Sequence, residues 1–189
     1  MSRNIRRTLV SVVAVVLLVA GCTQSDVGFP HMDGTSSLPT DSPVVATYRQ
    51  ALGPTLEEAY RSAVLGNLDV AQQVVDNSEA PLSADAKDHV TTALAAEVFA
   101  ASRRDAEDES AVPDTVNTRF SLVDAAARSS DDTTLVSAHL SVTTTWLANN
   151  VVTEEQLPVY AVLNSTTGEI IELEILRTKE DVNNSTIGE

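Results

Sequence analysis

At Pro113 the chain changes its hydrophobic period. Before it, apolar residues recur at steps of three and four. After it they alternate, and Val, Thr and Phe replace Ala and Glu. A helical half followed by a strand half cannot interleave into βαβ units, so the pattern predicts an α+β domain. The expected fold is three N-terminal helices packed on a curved, antiparallel sheet of about four strands.

The helical half divides itself. Val45, Tyr48, Leu52, Leu56, Ala59, Tyr60 and Ala63 fall on one face of a first helix, with Glu57, Glu58 and Arg61 on the other. Gly53-Pro54 predicts a kink or a restart within it. Gly66 is placed to end this helix, and Asn67 to cap a second running through Val75. Ser83 is placed to cap a third, running to about Arg104. Its apolar stripe is Val90, Leu94, Val98 and Ala101, with Phe99 beside it. Asp85 and Asp88 near its start and Arg103-Arg104 near its end suit the helix dipole.

In the strand half, Thr118 to Ala126 reads as a first strand and Thr134 to Leu147 as a long second one. Val136, Ala138, Leu140, Val142 and Trp146 take one face of the second strand. Ser137, His139, Ser141, Thr143 and Thr145 take the other. Leu157–Leu163 and Glu169–Leu176 form a hairpin about Asn164–Gly168, with Ile171, Leu173 and Ile175 expected inward. The globular domain is thus expected over 44–176, with a polar tail over 177–189.

The chain opens differently. Arg3, Arg6 and Arg7 precede an apolar run from Leu9 to Ala20, broken only by Ser11. A basic start, a short apolar core and small residues at its end are the layout of an export signal, and the run is short for a membrane span. Two export routes stay open, because Arg6-Arg7 also suits a twin-arginine signal, although Ile5 stands where that pattern favours Ser or Thr. The run ends in Leu18-Val19-Ala20-Gly21-Cys22, which contains the only cysteine. This stretch resembles the bacterial lipobox. The resemblance implies that residues 1–21 are a lipoprotein signal peptide, cut between Gly21 and Cys22, and that the Cys22 thiol carries a diacylglyceryl group. Two acyl chains suffice for stable anchoring. The expected location is therefore the extracytoplasmic side of the cell membrane. Residues 22–43 are rich in Ser, Thr, Gly, Pro and Asp and read as a flexible tether of roughly 25 Å root-mean-square length. His31 stands in it alone.

All 27 acids follow Cys22, whereas three of the 12 basic residues precede it, so the remainder carries a net charge of −18. Such a surface repels nucleic acid and anionic headgroups. With Cys22 lipidated no thiol remains, which excludes disulfides, a cysteine nucleophile and a zinc–thiolate site. Serine nucleophile elbows, phosphate-binding glycine loops and His-Glu-x-x-His are absent from the sequence. No cofactor, metal site or catalytic residue is assigned.

Three helices followed by a meander with a long second strand resemble the nuclear transport factor 2-like superfamily, over about Val44 to Leu176. Gly66-Asn67-Leu68-Asp69 looks like the small-polar-leucine-aspartate junction common there. The resemblance implies a cone, with the sheet curled about the first helix to leave a pocket. The sequence shows no short strand before the third helix and no tryptophan in the last strand. Tyr60, Asp124 and Trp146 are the candidate pocket-lining residues, and Tyr48, Asp69, His89 and His139 are further candidates for chemistry. Asp124 interrupts an otherwise apolar strand face. His139 and Thr143 lie on a polar sheet face suited to a homodimer contact. Three functions compete. One is a non-catalytic module binding a protein partner or a small apolar ligand at the envelope. The second is an assembly component of a secretion or conjugation system. The third is a small hydrolase or isomerase using the cone. The first is the reading taken forward.

Overall fold

In the computed structural model the described residues are 35–39, 41–107, 112–128, 132–147 and 151–176. Gly21, Cys22, His31, the leader, most of the tether and the tail lie outside them. The elements run β1 (Thr35–Ser37), α1 (Pro43–Val64), α2 (Leu68–Asp76), α3 (Ala84–Glu107), β2 (Pro113–Arg128), β3 (Thr133–Trp146), β4 (Val152–Asn164) and β5 (Ile170–Ile175). The fold is α+β, with three helices on one antiparallel sheet in the order β1-β2-β3-β4-β5. The sheet has five strands rather than four. The additional one, β1, lies in the stretch read above as tether and pairs Thr35, Ser36 and Ser37 with Arg128, Ala127 and Ala126.

Helix α1 is unbroken through Pro54. Proline removes one backbone donor and crowds the preceding turn. Pro54 lies on the exposed side, and Gln50, whose carbonyl loses that donor, is exposed as well. Gly53 sits on the buried side for another reason. A Cβ there would meet the Phe120 ring at 3.2 Å, so the missing side chain lets β2 lie close on α1. The helix ends as its sequence indicates, with Gly66 at φ +79°, a conformation that favours glycine. Asn67 occupies the N-cap position of α2 without donating or accepting a side-chain cap bond. Ser83 does cap α3, its hydroxyl oxygen accepting the Ala86 N–H at 3.1 Å.

The core lies between the helices and one face of the sheet. Val45, Tyr48, Leu52, Leu56, Tyr60, Val90 and Leu94 meet Phe120, Val136, Leu140, Leu157, Leu163 and Leu173 there. Each such side chain, fully buried, contributes roughly 1.5–3 kcal/mol of transfer free energy. On α3 the buried set includes Glu97 at 3 % exposure, whereas Val98 is only half-buried and Phe99 is 65 % exposed. On β5 Ile170, not Ile171, joins Leu173 in the core. The register shift at Val162/Leu163 shifts the alternation by one residue.

Two devices cover part of the sheet edges. The α2–α3 connector lies along β5: Leu82 forms a parallel bridge with Ile170, and the Ser83 hydroxyl donates to the Ile171 carbonyl at 2.7 Å. On the β2 side, the Glu57 carboxylate accepts the Phe120 N–H at 2.7 Å, and the Glu57 carbonyl accepts the Thr118 hydroxyl at 2.6 Å. Among the described residues no helix is long and apolar enough to cross a membrane.

Candidate functional site

The face of the sheet turned away from the helices carries most of the residues with chemistry. The strand register sets Asp124 opposite Ser137, Ser137 opposite Tyr160, and Tyr160 opposite Glu174. One polar row therefore crosses β2, β3, β4 and β5. His139 follows Ser137 by two positions on the same face, between Ser121 and Pro158. Leu135, Tyr160, Val162 and Leu176 form a small second apolar cluster beside this row.

Asp124 reaches this face through a bulge. Simple alternation from Phe120 and Leu122 puts residue 124 on the helix side, interrupting an apolar face. The register shift between Leu122 and Asp124 places it on the other side, paired with Ser137. Its Oδ1 accepts the Ala125 N–H at 2.8 Å, a local contact that stabilises the bulge. The apolar side of β2 is thus continuous, and Asp124 does not break it.

The row does not assemble a nucleophile. A serine nucleophile requires a base in hydrogen-bond reach and a third group orienting that base. The Ser137 hydroxyl is buried and has no hydrogen-bond partner among the described residues. Burial raises the Tyr160 phenol pKa above its ordinary value, so it is no more acidic than a free tyrosine. Among the described residues no three His, Cys, Asp or Glu side chains gather as metal ligands.

The three candidate pocket residues do not meet. Tyr60 is fully buried within the helix-side core. Asp124 lies on the opposite face. Trp146 shares the side of Val142 and Thr144 by alternation, nine positions along β3 from the partner of Asp124, a separation of roughly 30 Å by strand rise. Its Nε1–H donates to the Thr153 hydroxyl at 3.0 Å. Of the other candidates, Asp69 and His89 are exposed on α2 and α3, while His139 and Thr143 are half-buried on the row-bearing face. Tyr48 is fully buried, its ring tilted against Phe120 with centroids 5.8 Å apart. Its hydroxyl has no partner among the described residues, and desolvation raises its pKa far above the ordinary tyrosine value.

Sequence reasoning missed one exposed feature. At the end of the sheet where β2 begins, Val112 (38 %), Leu147 (61 %), Val151 (48 %) and Val152 (60 %) are exposed. Backbone bonds hold them together: the Leu147 N–H donates to the Val112 carbonyl at 3.0 Å, and the Trp146 N–H to the Val151 carbonyl at 2.9 Å. The signal was legible in principle, since the aliphatic residues Leu147, Val151 and Val152 flank the polar pair Asn149-Asn150.

No protein-family model matches the chain, and no curated protein or solved structure matches it.

Proposed function

We propose that the chain is an exported bacterial lipoprotein, anchored through a diacylglyceryl group on Cys22, whose acidic domain is a non-catalytic interaction module at the outer side of the cell membrane. The observation that carries this reading is the sequence Leu18-Val19-Ala20-Gly21-Cys22. It places the only thiol of the chain directly behind a basic and then apolar leader. Binding is favoured over catalysis because the candidate side chains are dispersed. Tyr60 is in the core, Asp124 and Trp146 are on opposite sheet faces, and Ser137 lacks a base.

The same reading takes the domain as a member of the nuclear transport factor 2-like superfamily, with the sheet curled about α1 as a cone. The helix order supports it, and so does the parallel bridge from Leu82 to Ile170 just before α3, where that superfamily often has a short strand. Within this superfamily lies the second reading, a component of a secretion or conjugation assembly, to which an anchored, acidic module is suited.

Cys22→Ser tests the anchor. The variant is expected to lose acylation by mass spectrometry and to move from the membrane fraction to the soluble one, with unchanged circular dichroism. Retention of Cys22→Ser in the membrane would show that the Leu9–Ala20 run is an uncleaved anchor and would overturn the proposal.

A further inference from the structure

The exposed apolar cluster at the start of β2 lies at one end of a long ribbon. β2 is 16 residues long, and β1, which the tether enters, pairs only with its last three residues. Pro113 and Arg128 are therefore separated by roughly 45–50 Å by strand rise. The cluster stands at the end of β2 opposite to the tether's entry.

The same end of the ribbon has an open strand edge. β5 pairs with β4 only between Val159 and Leu163, and the last described bond across that seam runs from the Leu176 N–H to the Pro158 carbonyl. Residues Val152 to Gln156 are all exposed, and among the described residues no strand lies on their outer side. An open edge beside exposed aliphatic side chains is a ready template for pairing with another chain.

Charge decides what that chain is. Asp114, Glu154 and Glu155 are exposed around the cluster, and the segments 112–117 and 146–156 contain no Lys or Arg. A second copy meeting this one edge to edge would bring Glu154 and Glu155 against their own equivalents, between two molecules that are each strongly acidic. Like charges juxtaposed across an interface oppose association. An anionic lipid surface is repelled in the same way. A protein surface with an apolar groove and a Lys/Arg rim satisfies both the aliphatic cluster and the acids around it.

We infer that this end of the β2–β3–β4 ribbon, formed by Val112, Leu147, Val151 and Val152 within an acidic rim, is the docking surface for a cationic protein partner at the envelope. The inference rests on the interaction-module reading for its setting, and names the surface that does the interacting.

The test uses the full-length, anchored chain in intact cells, with a photoreactive benzoylphenylalanine in place of Leu147. A second chain carries the same probe in place of Thr167, which is exposed in the β4–β5 turn, at the end of β4 opposite to Val152. The expected result is one discrete protein adduct from position 147 and none from position 167. The adduct should fall about tenfold when Asp114, Glu154 and Glu155 are replaced together by Lys, a change consistent with the loss of rim charge pairs. Circular dichroism of that variant should be unchanged, since all three side chains are exposed. No adduct, an adduct of two copies, a lipid adduct, or a protein adduct indifferent to charge reversal each overturns the inference. Failure of the anchor is scored separately, on the partition of Cys22→Ser, so the two outcomes are distinguishable.

Discussion

The carboxylate of Glu57, in the C-terminal half of α1, accepts the backbone N–H of Phe120 in β2 at 2.7 Å. The acceptor is a carboxylate, the donor lies on the part of β2 that β1 does not cover, and the carbonyl of the same glutamate receives the Thr118 hydroxyl. One residue thus fastens the helix to the outer edge of β2, where β1 does not reach. Hydrogen bonds to charged groups contribute about 1.5–3 kcal/mol. Glu57→Ala is expected to lose that much in urea unfolding, and Glu57→Gln, which keeps an acceptor oxygen, distinctly less. Equal losses for the two would mean that the charge is irrelevant.

Gly53 makes the complementary point about space. Glycine inside a helix costs about 0.5–1 kcal/mol relative to alanine, yet a Cβ here would press on the Phe120 ring at 3.2 Å. That ring also packs against Tyr48, with centroids 5.8 Å apart. Gly53→Ala should therefore fall within about 1 kcal/mol of the parent, with propensity and crowding offsetting each other. Gly53→Val, whose branched carbons meet the ring directly, should lose about 2 kcal/mol or more. A Gly53→Val protein as stable as the parent would show that α1 and β2 do not approach so closely.

Tyr48 links stability to pH. Its phenol is neutral when protonated, and burial raises its folded pKa above the ordinary value of 10.0. The unfolded chain ionises first. The stability that follows from keeping the phenol neutral is complete below pH 10 and is lost as the pH climbs beyond it. The slope is about 1.4 kcal/mol per pH unit for one such group. Tyr160 is shifted in the same direction by burial and adds to the effect. Tyr48→Phe is expected to flatten the alkaline limb of the stability profile. At pH 7 it should be neutral or stabilising by about 1 kcal/mol, because it deletes a buried hydroxyl without a partner among the described residues. Marked destabilisation at pH 7 would reveal a bound water or ligand on that hydroxyl.

Where apolar period carried the information, the chain could be read directly. The three helices and the β4–β5 hairpin follow from Leu52, Leu94, Leu163 and their neighbours, because burial is what spaces those residues. β1 was illegible, since Thr35-Ser36-Ser37 has no apolar alternation. The bulges before Asp124 and at Val162/Leu163 were invisible for a related reason. A bulge changes register without changing composition, and each one moved a residue from the side that alternation assigned. Glu57 looked like a solvated helix residue because its partners lie 61 and 63 positions away. The candidate pocket of Tyr60, Asp124 and Trp146 failed as a set because period alone specifies a face, not a distance along a strand.

The bond from the Ser83 hydroxyl to the Ile171 carbonyl spans 88 positions. Ile170 and Leu173, in the strand it reaches, are completely buried against helices made more than sixty residues earlier. A chain emerging N-terminus first thus presents all three helices, with their apolar faces uncovered, long before the strand that locks them exists. Cooperative folding of the domain therefore waits for β5, its last strand. Chains ending before Glu169 should accordingly lack a cooperative unfolding transition, whereas chains ending at Leu176 should retain one.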